Sequence, residues 1–157
     1  MTDPKLNRPN PAALLARAEQ VIASDLAQYP PPGELPQNGR LRVGVDLGTA
    51  YTVLAVMDEQ GTPLIGEYRF AQVVRDGLVV DFIGAVDLLR EMKARVEARL
   101  GRPLTHAASG FPPGVPAAER QATANVVEAA GMACQGLIDE PSAANKVLRM
   151  QEGAIVD

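Results

Sequence analysis

Leu41-Arg42-Val43-Gly44-Val45-Asp46-Leu47-Gly48-Thr49-Ala50-Tyr51-Thr52-Val53-Leu54-Ala55-Val56 is the stretch on which the reading of this chain turns. Two apolar runs flank a short polar break, a pattern that predicts strand, tight turn, strand. Asp46 ends the first strand with its carboxylate at the mouth of the turn. Gly48 allows the backbone a conformation closed to other residues. Thr49 and Thr52 add hydroxyls, and the N–H groups of the turn can point into one concavity. Such a nest binds phosphate, and a carboxylate beside it can hold hydrated Mg²⁺. The same residues also fit an ordinary β-hairpin with a Gly turn, because short Gly motifs recur by chance.

Outward from this stretch the pattern is α/β. Strands are predicted at about 41–47, 51–58 and 63–70, with Asp58-Glu59-Gln60-Gly61 as a turn, which makes an antiparallel meander. Asp81 caps a helix predicted over 82–100, whose Val86, Leu89, Met92, Val96 and Leu100 share one face; Gly101 and Pro103 stop it. A strand at 104–110, a helix at 116–130, a strand at 134–138 and a helix at 141–150 with Pro141 at its first position follow. The two later strands, joined by helices, are expected parallel and beside the first. Gly153-Ala154-Ile155-Val156-Asp157 reads as one more strand.

Residues 1–40 have a different composition. Prolines open and close them, and between lies an amphipathic helix predicted over 11–26, with Asn10 as N-cap and Leu14, Leu15, Ala18, Val21, Ile22 and Leu26 on one face. Its expected role is to pack on the globular body or to dock in a partner's groove. Fifteen Lys and Arg against 19 Asp and Glu give a formal charge of −4, and no basic stripe is visible, which argues against nucleic-acid binding. No apolar run is long enough to span a bilayer. The single cysteine, Cys134, excludes an internal disulfide and fits a reducing compartment, so the cytoplasm is expected. Cys134 reads as a small buried hydrophobe, His106 as a core or rim histidine, and Arg75 and Asp76 as a solvated turn.

Three motifs in order resemble the actin, sugar-kinase and heat-shock-chaperone superfamily: Val45-Asp46-Leu47-Gly48-Thr49 its first phosphate motif, Ile138-Asp139-Glu140-Pro141-Ser142-Ala143-Ala144 its connecting motif, and Ala154-Ile155-Val156-Asp157 the strand into its second phosphate motif. Val73-Val74-Arg75-Asp76-Gly77-Leu78-Val79-Val80-Asp81-Phe82-Ile83-Gly84-Ala85-Val86, with Ser109-Gly110-Phe111-Pro112-Pro113-Gly114, resembles the EutJ family of ethanolamine utilisation over residues 41–157. The resemblance implies a ribonuclease-H-like, actin-like ATPase subdomain: a mixed five-stranded sheet with an antiparallel three-stranded meander and helices on both faces. It implies a leading helix and linker over 1–40, a first lobe over 41–152, and the truncated first strand of a second lobe over 153–157.

By the same resemblance ATP and Mg²⁺ are the cofactors. Asp46 and Asp157 would face Mg²⁺ through water; Gly48, Thr49 and Ala50 would contact phosphates by backbone N–H groups, with Thr52 beside them. Glu140 would position or activate the attacking water, a poor nucleophile toward a crowded phosphoryl centre; it could equally stabilise the following helix N-terminus. Asp46 could simply cap its turn, and Tyr51 is expected to pack. The lysine that several relatives place near the phosphates is not evident. The implied function is that of a chaperone-like ATP-binding protein associated with bacterial microcompartments, whose partners are client or microcompartment proteins. The lobe alone is expected to bind ATP weakly or not at all and to turn over negligibly. A filament-forming or scaffolding actin relative and a non-catalytic module docking to microcompartment components are the alternatives. A ribonuclease-type nuclease shares the fold but not the charge.

Overall fold

The computed structural model describes residues 10–23, 35–75, 78–149, 152 and 155. The element order is α1 (Pro11–Val21), β1 (Ile22–Ala23), β2 (Arg42–Leu47), β3 (Tyr51–Met57), β4 (Pro63–Phe70), β5 (Val74–Arg75), β6 (Leu78–Val79), α2 (Phe82–Leu100), β7 (His106–Phe111), α3 (Ala117–Ala129), β8 (Ala133–Asp139) and α4 (Glu140–Leu148). The main sheet runs β1-β4-β3-β2-β7-β8. β2, β3 and β4 form the antiparallel meander, and β7 and β8 add parallel on the far side of β2. The five expected strands are present, and β1, two residues parallel to Gly66 and Glu67, makes a sixth.

Strand alternation builds the core. Val43, Val45 and Leu47 pair with Val56, Leu54 and Thr52, and Val56 and Leu54 pair with Ile65 and Glu67, so these side chains share one face. α2 covers that face with Ala85, Val86, Leu89, Met92, Val96 and Leu100, and α3 with Val126 and Val127. Asp81 accepts from the Gly84 amide at 2.8 Å, and Gly101 ends α2 in the left-handed region at φ 71°, which glycine enters without a Cβ clash. The other face carries Gly44, Asp46 and Ala108; α4, which has no buried residue, lies over part of it.

α1 starts where the sequence predicts, with Asn10 Oδ1 accepting from the Ala12 amide at 2.9 Å and Pro11 in the first turn. It ends five residues early. Val21 is the last helical residue and is buried, whereas Ile22 is extended and pairs with Gly66. β-branched Ile22 sits readily on a pleated edge, and the close approach of its side chain is possible because Gly66 has no Cβ. The predicted position of Leu26 lies outside the described residues. Leu15 is exposed, while Arg17 donates to the Pro63 carbonyl at 3.3 Å, so the helix lies against β4. No helix among the described residues is long and apolar enough to cross a membrane.

Candidate functional site

β2, β7 and β8 are parallel, so their C-terminal ends open on the same edge of the sheet, where ligands of open α/β sheets bind. Asp46 stands near the end of β2. Glu140 follows Asp139, the last residue of β8, and opens α4. Between them, near the end of β7, Gly110 has a bare Cα: a Cβ there would come 3.4 Å from Glu140 Cγ and 4.0 Å from Asp46 Oδ1. A groove of about 330 Å³ is lined by Asp46, Leu47, Gly48, Thr49, Val74, Pro112 and Glu140. A second of about 400 Å³ runs from Asp46 and Glu140 along Gly44, Ala108 and Gly110 to Ala143 and Ala144 of α4.

Local chemistry positions each acid. Asp139 caps α4 by accepting from the Ser142 amide at 3.0 Å, and hydrogen bonding from Ser142 holds its carboxyl below the usual 3.8. That cap, with Pro141 in the first turn, directs Glu140 into the helix start, where a carboxylate also meets the positive end of the helix dipole. Ser109 is buried and donates to the Val45 carbonyl at 3.0 Å, which ties β7 to β2 one residue before Gly110.

The expected site residues fall into three groups. Asp46, Gly48, Thr49 and Glu140 are brought together around one groove, with Ala50 exposed in the same turn. Thr52 is not with them: it pairs with Leu47 on the core face and is fully buried, so its hydroxyl cannot reach a ligand there. An even-numbered residue of β3 shares the face of Leu54 and Val56, which is what excludes it. Asp157 lies outside the described residues, as does most of the 153–157 strand.

Gly48 is in the turn for a different reason than expected. Its φ is not in the left-handed region. Instead its N–H donates to the Tyr51 carbonyl at 3.0 Å, and a Cβ would stand 2.8 Å from that oxygen. The Gly48 amide is therefore committed to closing the turn, and Thr49 and Ala50 are the turn amides with no backbone acceptor among the described residues. Tyr51 packs, but on the open side: it is half exposed, with edge contacts to Tyr68 at 5.8 Å and Phe70 at 5.7 Å between centroids. His106 is a rim histidine. Its Nε2 must donate to the Leu41 carbonyl at 3.2 Å, which leaves Nδ1 to Thr105 at 3.1 Å. Cys134 is half-buried against the core. Gly110, Val74 and Pro112 are lining residues given no role from sequence. The signal for Gly110 was a Ser-Gly-Phe-Pro-Pro-Gly run at a strand end, parallel in kind to the Asp-Leu-Gly-Thr run.

Residues 80–147 match the family model described as Hsp70 protein. The chain is 38% identical over 138 residues to ethanolamine utilization protein EutJ of Escherichia coli K12, covering 88% of this chain and 47% of that protein. It is 39% identical to the protein of the same name from Salmonella typhimurium, with the same coverage. The crystal structure of ethanolamine utilization protein EutJ from Carboxydothermus hydrogenoformans superimposes with a TM-score of 0.78 at 41% identity, over 92% of this chain and 52% of that one. The chain thus spans about half the length of these relatives. The matches cover more of it than residues 41–157 can supply, so they reach back into the leading segment.

Proposed function

The chain belongs to the family of ethanolamine utilization protein EutJ, with the actin-like ATPase fold, and from that premise we propose that it is the nucleotide-binding first lobe of a chaperone-like ATPase of ethanolamine utilisation. The observation that carries the reading is the meeting of Asp46 and Glu140, from sequence-distant elements, across the bare Cα of Gly110. The Hsp70 match over 80–147 supports the chaperone-like character. Client or microcompartment proteins are the partners this reading implies, and the cytoplasm, at or near microcompartments, its place.

The residues present fit a magnesium–nucleotide. A hard cation prefers carboxylate and water oxygens, and exposed turn amides suit phosphate oxygens. When bound, the group supplies the phosphoryl centre for transfer to water and the cation that offsets its charge. Asp46 would hold the metal through ordered water, with Asp157 as the second acid. The Thr49 and Ala50 amides and the Thr49 hydroxyl would hold phosphate oxygens, and Gly48 would keep the turn in shape. Glu140 would orient the attacking water and accept its proton on the carboxylate.

One lobe offers one wall of such a cleft. A polypeptide of these 157 residues is therefore expected to bind ATP with Mg²⁺ only in the millimolar range and to hydrolyse it immeasurably slowly. Amide NMR titration is the test: the Thr49, Ala50 and Gly110 signals should move, and Asp46→Asn should weaken the response about tenfold, equivalent to about 1.4 kcal/mol. Micromolar affinity by calorimetry would sink the one-wall reading. No movement of these signals at millimolar ATP would sink the nucleotide reading itself.

A further inference from the structure

At the opposite end of the parallel strands, away from the acidic groove, cations gather. Two adjoining grooves of about 590 and 230 Å³ share Arg40, Leu41, Val43 and His106. Arg42 and Gln135 line the first, and Arg102 the second. Arg40 and Arg42 are exposed and Arg102 half-buried. Arg40 and Arg42 lie at the entry to β2, and Arg102 follows α2, so the fold assembles a cluster that the sequence scatters.

Among the described residues Arg40, Arg42 and Arg102 make no ion pair, whereas Arg69, Arg90 and Arg95 each do. Arg102 gives its guanidinium to two backbone carbonyls, Pro36 at 3.4 Å and Gly39 at 2.6 Å, which orient it without neutralising it. Glu59 is the one acid lining the grooves, and its Oε1 accepts from the Arg40 amide at 2.7 Å. In a chain of net charge −4, three guanidinium groups with no ion pair among the described residues line two adjoining grooves with positive potential.

We propose that this groove is a docking site for an acidic polypeptide segment, distinct from the nucleotide groove. The cations are spread from Arg42 past Arg40 to Arg102 instead of converging on a point. Carboxylates carried along an extended chain can each meet a different cation of such a row, which a single small anion cannot. Arg is also suited to gripping carboxylates in a fork. Gln60 and Gln135 give the groove an uncharged polar wall that would not repel such a segment.

The test is anisotropy of a labelled ten-residue Glu/Asp peptide titrated with the 157-residue polypeptide at low and physiological salt. Saturable binding is expected, weakening as salt rises, with an R40E/R42E double variant at least fivefold weaker. An Arg120→Glu variant, whose side chain lies over Phe111 elsewhere, should bind as the parent does. Circular dichroism checks that each variant is folded, and Arg42→Gln, which removes one charge without reversing it, should fall between. Unchanged binding in the double variant, equal loss in Arg120→Glu, or full competition by equimolar inorganic phosphate would each overturn the proposal.

Discussion

Arg95→Ala is expected to lower the free energy of unfolding by about 3 kcal/mol and the midpoint of thermal unfolding by roughly 6–12 °C for a domain of this size. The reason is Glu67. It stands on the core face of β4 and is 1% exposed, in the layer otherwise built from Ile65, Leu54 and Val56. Arg95 reaches down from α2 to its Oε1 at 2.5 Å, and Arg69 approaches the same oxygen at 3.2 Å. Oε2 has no partner among the described residues, and neither has Arg95 Nε. Removing Arg95 leaves a buried carboxylate with one partly exposed cation. Broken buried pairs cost about 3–5 kcal/mol; Arg69, which remains, and the 30% exposure of Arg95 argue for the lower end. Asp87→Ala, which breaks an exposed pair with Arg90, should cost under about 0.5 kcal/mol. Urea denaturation of both variants measures the contrast, and equal small losses would show that Glu67 is not held by Arg95.

The same group sets a pH dependence of definite sign. Burial raises the Glu67 carboxyl above 4.5, against the lowering pull of Arg95 and Arg69. Well below 4.5 the carboxyl is protonated in both the folded and unfolded chain. Above it the unfolded chain ionises first, so the contribution of Glu67 to stability falls as pH rises through 4.5 to its raised value and is flat beyond. Glu67→Gln should remove that decline from the stability–pH curve. A parent-minus-variant difference that rises over this interval would reverse the assignment.

What could be read in the sequence was what neighbours in sequence decide. The apolar spacing of Val86, Leu89, Met92, Val96 and Leu100 fixes α2 and its buried face, because those residues meet the same helix side whatever they pack against. Asn10, Asp81, Gly101 and Pro141 mark their helix ends by local hydrogen bonding or local φ. Thr52 was legible and misread: the alternation that buries Leu54 and Val56 buries it too. The early end of α1 was not legible, since it depends on Ile22 finding Gly66 across a gap in sequence. Nor was the pairing of Glu67 with Arg95, nor the row that the fold builds from Arg42, Arg40 and Arg102, which is split along the sequence and so left no basic stripe to read. The acidic groove was legible in parts. Asp46 and Glu140 carry recognisable motifs, but only the parallel order β2-β7-β8 puts Gly110 between them.

Gly48→Ala is expected to cost about 2 kcal/mol and to abolish the nucleotide-dependent movement of the Thr49 and Ala50 amides. Alanine can adopt the φ of Gly48, so the cost arises from approach alone: the new Cβ would stand 2.8 Å from the Tyr51 carbonyl oxygen. That oxygen is backbone and already accepts from the Gly48 N–H at 3.0 Å, so the clash can be relieved only by opening the turn. Opening it moves Ala50, whose carbonyl accepts from the Ala71 amide at 3.0 Å and so ties the turn to the exit of β4. Asparagine separates this cause from a demand for left-handed backbone, because Asn enters that region more readily than other residues with a side chain. Gly48→Asn should therefore be no better tolerated than Gly48→Ala. Rescue by Asn would mean that the turn demands left-handed backbone, and a loss under about 0.5 kcal/mol with Ala would mean that the closeness of Tyr51 is incidental.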